Sequence, residues 1–195
     1  MSVIPTFELG IWNAWILILP IIIVSIFGAK KLSKRKSLVA SSVPKNVKTA
    51  TILYFSIELL SYAYSIFLPL KLNTIWFIIG LLVYLPFMCF LILGIMNFAS
   101  TPTDKLVTKG VYSISRNPSY VSDVFVKMSI GIACLSWLFL LIAIADFVLL
   151  RTIISAEEQL LLENYGNDYR DYLNRTPRWI GIPKSKTCMS KKRNA

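Results

Sequence analysis

Apolar runs of membrane-crossing length recur along this chain, and no other feature narrows its fold as much. About 20 predominantly apolar residues suffice to carry a helix across the hydrocarbon core of a bilayer. Three runs fit one crossing each: Leu9–Phe27, Val47–Leu70 and Thr74–Phe98. A fourth, Val121–Ile154, is too long for one crossing and reads as a hairpin of two helices turning near Gly131–Trp137. Pro86 lies inside the third run, where it removes one helical hydrogen bond and kinks the span, a break that membrane helices tolerate. The expected fold class is all-α: a polytopic membrane protein with about five transmembrane helices and a cytoplasmic C-terminal helical segment.

Charge placement tests this reading. Only 16% of the residues are charged, against about 25% in an average soluble chain. The net charge is +11, and the mean hydropathy is +0.62. Five crossings put the termini on opposite sides. With the N-terminus outside, the inner segments are 28–48, 99–119 and 151–195, which hold 7, 3 and 9 Lys/Arg, or 19 of the 21. A cytoplasmic bias of Lys and Arg sets membrane orientation, so the count favours N-out, C-in. The leading segment before the first run has no Lys or Arg and carries Glu8, whereas a signal peptide starts with positive charge. The first run therefore reads as a retained anchor. An inner or plasma membrane and the endoplasmic reticulum both fit this charge bias.

Composition also excludes several classes. The basic residues flank apolar runs or crowd a tail, where they meet anionic lipid headgroups, so membrane lipids are expected partners and nucleic acid is not. Three cysteines with no motif spacing give no disulfide framework. With no histidine and no CxxC, a metal site is not expected. The chain divides into three expected parts. Residues 1–98 supply three helices, 99–183 form a core, and 184–195 are a basic, disordered tail.

Two polar groupings interrupt the apolar pattern. The first is the island Gly110–Tyr120, GVYSISRNPSY. Asn117-Pro118 is a helix start, with Asn as N-cap and Pro at the first helical position. The free N–H groups of that helix suit an anion, and Arg116 adds a planar donor fork beside them. A plain helix cap with a topology-setting arginine explains the same residues. The second grouping is Glu157-Glu158, where the fifth span leaves the membrane. A carboxylate there accepts ribose hydroxyls or attracts a cation; a solvated helix end is the plainer reading. Beyond it Leu161, Tyr165, Tyr169 and Leu173 recur at four-residue spacing, an amphipathic pattern that Gly166-Asn167 is expected to break. Within the spans, Asp123 and Lys127 stand four apart and are expected to pair, with Asp146 reaching Lys127 across the hairpin. Glu58 reads either as a channel-lining acid or as a carboxyl packed against another helix.

Leu106–Tyr120 and Glu157–Gly181, taken together in order, resemble the C-terminal half of the isoprenylcysteine carboxyl methyltransferase family, parts of which the phospholipid methyltransferases share. The resemblance implies an integral-membrane enzyme that uses S-adenosylmethionine without a Rossmann domain. It places the cofactor site on Tyr112, Arg116, Asn117, Pro118, Tyr120, Glu157 and Glu158, with Tyr169, Tyr172 and Arg178 matching the C-terminal pattern. Arg116, Glu158 and Tyr120 are the residues expected to carry catalysis. Arg116 and the helix N-terminus would hold the cofactor's carboxylate, one of the glutamates its ribose, and a tyrosine the adenine or the sulfonium. The implied reaction moves a methyl group to a lipid-like or prenylated acceptor, an isoprenylcysteine-type carboxylate first. An amine of a phospholipid is the alternative, and a non-catalytic membrane scaffold is the rival. Asn117 stands where the family has histidine; it keeps a hydrogen-bonding group and loses the aromatic face. The glycine pair of the phospholipid enzymes is absent, since Gly94 stands alone.

Overall fold

The computed structural model describes residues 8–36, 45–102 and 104–183. They form five α-helices and no strand: α1 (Trp15–Lys36), α2 (Lys45–Ser65), α3 (Ile75–Ser100), α4 (Pro118–Ala133) and α5 (Trp137–Arg175). A short 3-10 helix, Gly110–Ser113, lies between α3 and α4. The expected basic tail, and residues 37–44 of the linker before α2, lie outside the described residues.

Most boundaries follow local chemistry. Thr74 caps α3 by accepting the N–H of Phe77, and Ser136 caps α5 by accepting the N–H of Phe139. The long fourth run does split into a hairpin: α4 ends at Ala133 and α5 begins at Trp137. α5 then continues for 39 residues, so the C-terminal amphipathic stretch extends the fifth helix. Gly166 breaks its regularity with φ 52° and ψ −123°, in open space where no side chain crowds it.

The first expected span is corrected. Residues 9–14 are not helical, because they are hydrogen-bonded to the segment after α2. Ala14 N–H donates to Leu68 O at 2.8 Å, and Leu70 N–H donates to Trp12 O at 3.0 Å. The Asn13 side chain donates to Ile66 O at 2.7 Å. The expectation of five crossings is met in part. Among the described residues, α3 and α5 are the helices long and apolar enough to cross a membrane. α1 is apolar over Trp15–Ile26 and continues into Phe27-Gly28-Ala29 before its lysines. The 16 residues of α4 span roughly 24 Å, short of a bilayer core of about 30 Å. α2 is diluted by Thr, Ser and Tyr and carries Glu58.

α3 and α4 pack closely along their lengths. At one end Gly80 admits α4 so tightly that a Cβ there would lie 2.7 Å from both Ala133 Cβ and Ser129 O. Midway, the rings of Phe87 and Phe125 stack 4.2 Å apart. At the other end Gly94 faces Pro118. The main apolar core joins Ile18 and Ile21 of α1, Met88 and Leu91 of α3, Val126 and Ile130 of α4 and Phe139 of α5.

A buried polar cluster ties α2, α4 and α5 together. The Lys127 ammonium donates to Glu58 Oε1, to Asp123 Oδ2 at 2.9 Å and to Asp146 Oδ2 at 2.5 Å. An ammonium has three N–H donors, and each finds a carboxylate. Tyr54 of α2 donates to the same Asp123 oxygen at 3.1 Å. Glu58 thus joins the pair foreseen between Asp123 and Lys127 and the link to Asp146. The three carboxylates lie close enough to ligate a metal ion, but Lys127 takes one oxygen from each.

Removing a partner from a buried ion pair typically costs about 3–5 kcal/mol, because the remaining charge is left uncompensated. Lys127→Met should therefore lower the thermal midpoint of the detergent-solubilised protein by well over 5 °C (roughly 2–4 °C per kcal/mol at this size). An unchanged midpoint would show that the cluster does not hold the three helices together.

Candidate functional site

The polar island sits at the start of α4, and the chain after α5 folds back over it. Two backbone hydrogen bonds fasten the two segments: Arg116 N–H donates to Pro177 O at 3.0 Å, and Gly181 N–H donates to Ile114 O at 3.2 Å. The Asn117 amide donates to Arg178 O at 3.1 Å. Ser115, fully buried, accepts the Asn117 N–H at 3.1 Å and donates to Arg178 O at 3.4 Å. The Thr176–Gly181 strap is thus fixed to the island chiefly through main-chain groups. Gly110 is required where the island begins: its φ is +62°, and a Cβ would collide with the Asn97 side chain of α3.

The charged groups converge beneath this strap. Arg116 Nη2 lies 3.1 Å from Glu158 Oε1, and Arg178 donates to the other oxygen of the same carboxylate. Arg116 and Glu158 side chains are 11% and 9% exposed, so this contact is screened little by water. Arg116 Nη1 also donates to Leu173 O at 3.3 Å. Two groups are left over: Arg116 Nε is buried without an acceptor, and Glu158 Oε1, although close to Arg116, makes no aligned hydrogen bond. A buried donor left without an acceptor is costly in a closed protein and useful in a binding site.

Tyrosines line the same region. Tyr120 donates to Glu157 Oε1 at 2.9 Å. Tyr172 donates to Tyr112 O at 2.6 Å. Tyr169 is almost wholly buried, with its ring centre 6.0 Å from that of Tyr172. Burial pushes the Tyr169 phenol above its usual range and the nearby Glu158 charge adds to this, while Arg116 and Arg178 oppose it. Burial likewise raises Tyr172. Both phenols stay neutral donors at physiological pH.

The structure brings the expected residues together. Tyr112, Arg116, Asn117, Pro118 and Tyr120 come from the island and α4, and Glu157, Glu158 and Tyr169 from α5. Two expectations change in detail. Asn117 occupies the N-cap position of α4, with Pro118 at the first helical turn, but its side chain does not cap the helix; it holds the strap. Arg116 and Glu158, expected to face a cofactor separately, face each other. Sequence reasoning missed Ser115 and gave little weight to Arg178. A serine flanked by Ile114 and Arg116 carries no distinctive signal, whereas a proline–arginine–tryptophan run after a helix is a turn with an anchoring cation.

Residues 76–168 match the family model described as phospholipid methyltransferase. The match begins in α3 and ends in the kinked part of α5, so it includes the island and both glutamates. No curated protein matches the chain at a significant level.

If the two arginines hold the strap through Glu158, Glu158→Gln should loosen it. Hydrogen exchange at the Arg116 and Gly181 amides, which the strap protects, should quicken by at least about tenfold. Unaltered protection would mean that main-chain bonds alone keep the strap down.

Proposed function

We propose, from a chain whose residues 76–168 carry a phospholipid methyltransferase domain, that the protein is an integral-membrane methyltransferase that takes its methyl group from S-adenosylmethionine and gives it to a lipid-like acceptor. The observation that carries the proposal is the convergence of Arg116, Arg178 and Glu158 under the strap, with the buried Arg116 Nε–H left without an acceptor. A zwitterionic cofactor suits such a pair. Its carboxylate takes the Arg116 Nε–H, and its hydroxyls or ammonium meet the Glu158 carboxylate. Tyr112, Tyr120 and Tyr169 supply aromatic faces, which attract a sulfonium. Asn117 and Pro118 position the start of α4, and Glu157 fixes the Tyr120 hydroxyl.

Methyl transfer from a sulfonium is an in-line displacement, so the protein's work is alignment and exclusion of water. Arg116, Glu158 and Tyr120 are the residues we assign to that work. The cofactor, when bound, supplies an electrophilic methyl on a charged sulfur. The acceptor enters sideways from lipid. In support of a membrane setting, the apolar windows of α3 and α5 are only 28% and 33% buried, whereas the core helix of a soluble protein is mostly buried. Ile78, Leu82 and Leu85 of α3 and Leu141, Ile144 and Val148 of α5 face outward. We further place the site on the cytoplasmic side, with the N-terminus outside, from the distribution of Lys and Arg.

Calorimetric titration of the detergent-purified protein with S-adenosylhomocysteine tests the proposal. The expected result is binding in the micromolar range, weakened at least about tenfold by Arg116→Ala, in keeping with loss of a charge-assisted bond. A folded wild-type protein that takes up none would favour a scaffold that keeps the fold without the activity.

A further inference from the structure

The strap divides its side chains between two environments. Arg178 turns toward the site, where it donates to Glu158 and to Ser155 Oγ. Its neighbour Trp179 turns the other way along α5. The Trp179 ring centre lies 4.9 Å from that of Phe147, and the indole packs against the apolar cluster of Ala50, Leu150, Ile153 and Ile154. Phe147 stands roughly 16 Å before Glu158 along α5, so adjacent strap residues reach from the charged site to the apolar span. Phe147 itself lies on the outward side of α5, with the exposed Ile144 and Val148.

The chain beyond Trp179 stays apolar and uncovered. Ile180 is 48% exposed and Ile182 is 93% exposed. Gly181 between them donates to the carbonyl of Ile114, which is also exposed, so three isoleucines gather about one main-chain hydrogen bond. Apolar residues scattered singly on a surface need no explanation, but a group of them beside a half-buried tryptophan marks a contact. Exposed cations border the group: Lys45 and Lys48 precede Ala50 on α2, and Arg151 follows Leu150 on α5. A tryptophan with apolar neighbours and flanking Lys/Arg suits the headgroup boundary of a bilayer, with the cations at the phosphates. Continuity identifies the partner. Trp179 rests on the side of α5 that faces outward as an apolar span, so the lipid that covers Ile144 and Val148 also reaches the strap.

We propose that the strap is a latch seated in the membrane: Trp179, Ile180 and Ile182 enter the headgroup–chain boundary of the adjoining leaflet, and the bilayer thereby holds down the segment over Arg116 and Glu158. Apart from the Arg178 ion pair, the strap's ties to the protein are few. They are Arg116 N–H to Pro177 O, Gly181 N–H to Ile114 O, and the Asn117 and Ser115 bonds to Arg178 O. Anchoring Ile180 and Ile182 on both sides of Gly181 restrains the amide that makes the last of the main-chain bonds along the chain. A small molecule on the Arg116–Glu158 pair is retained while the strap is seated and leaves when it lifts, so the membrane regulates exchange at the site. The inference concerns strap and lipid, and it holds for any occupant of that pair.

The test uses the full chain in phosphatidylcholine vesicles. On a background of Cys89→Ala, Cys134→Ala and Cys188→Ala, a nitroxide is attached at Ile182→Cys. Leu82→Cys on α3 is the lipid reference, and Arg170→Cys on α5 is the aqueous one. Relaxation of each label by oxygen, which concentrates in lipid, is compared with relaxation by a water-soluble nickel chelate. The label at Ile182 should follow that at Leu82, with oxygen the stronger. Hydrogen exchange in the same vesicles supplies the second readout. Ile180→Asp with Ile182→Asp should quicken exchange at the Gly181 and Arg116 amides by about tenfold, while Ile180→Leu with Ile182→Leu should leave it unchanged. Both residues are exposed, so neither pair of changes disturbs the packed interior. A label at Ile182 that follows Arg170, with nickel the stronger, or unaltered exchange in the aspartate variant, would overturn the inference. Neither readout uses a cofactor, so that result would leave the methyltransferase reading standing. Absence of S-adenosylhomocysteine binding would in turn overturn that reading without touching the strap.

Discussion

A single ammonium, that of Lys127, holds the frame of this protein together. Carrying a lysine and three acids into the interior is costly unless every donor is answered. Here the three donors of Lys127 reach carboxylates from α2, from its own helix α4 and from α5. Because α2 and α5 touch α4 through this point, the cluster fixes the depth of each helix relative to the others. Apolar packing alone would not do so, since one leucine can slide past another with little loss. The contacts of α3 supply the complementary restraint, with Gly80 letting α4 approach closely and Phe87 stacking on Phe125 further along.

That fixed depth carries the polar island and the glutamates to the same level. α4 begins at Pro118 and α5 passes it at Glu157 and Glu158, so Tyr120 can reach Glu157 and Arg116 can reach Glu158. The strap completes the arrangement from outside the helices. It contributes the carbonyls of Pro177 and Arg178 and the guanidinium of Arg178. The result is an arginine and a carboxylate facing one another beside Tyr120, Tyr169 and Tyr172. We propose that this arrangement clamps a compact molecule carrying both signs of charge.

Much of this was legible in the sequence, and the physical reason differs by feature. The helical hairpin was legible because Val121–Ile154 exceeds the length of one crossing, and the break falls at Cys134–Ser136 within the expected turn. Pro118 announced the start of α4, and Gly166 the irregularity in α5. The pairing of Asp123 with Lys127 followed from helical spacing, and Asp146 was within reach across a short turn. Glu58 as a third partner was not legible, because which face of α2 meets α4 is a tertiary fact. The non-helical start was hidden for a similar reason. Residues 9–14 look like the beginning of an apolar helix, but their main chain and Asn13 are claimed by the segment around Ile66–Leu70. The role of Asn117 was half legible: the Asn-Pro pair marks a helix start, while the strap that draws its side chain away lies some 60 residues on.

The most direct test of the account is to ask where the cofactor touches the chain. Photo-crosslinking with an azido-substituted S-adenosylmethionine, followed by mass spectrometry of the peptides, would answer it. The account predicts label on two separate stretches, Gly110–Tyr120 and Glu157–Arg178, competed away by S-adenosylhomocysteine. Label confined to other helices, or label that the competitor does not displace, would contradict it.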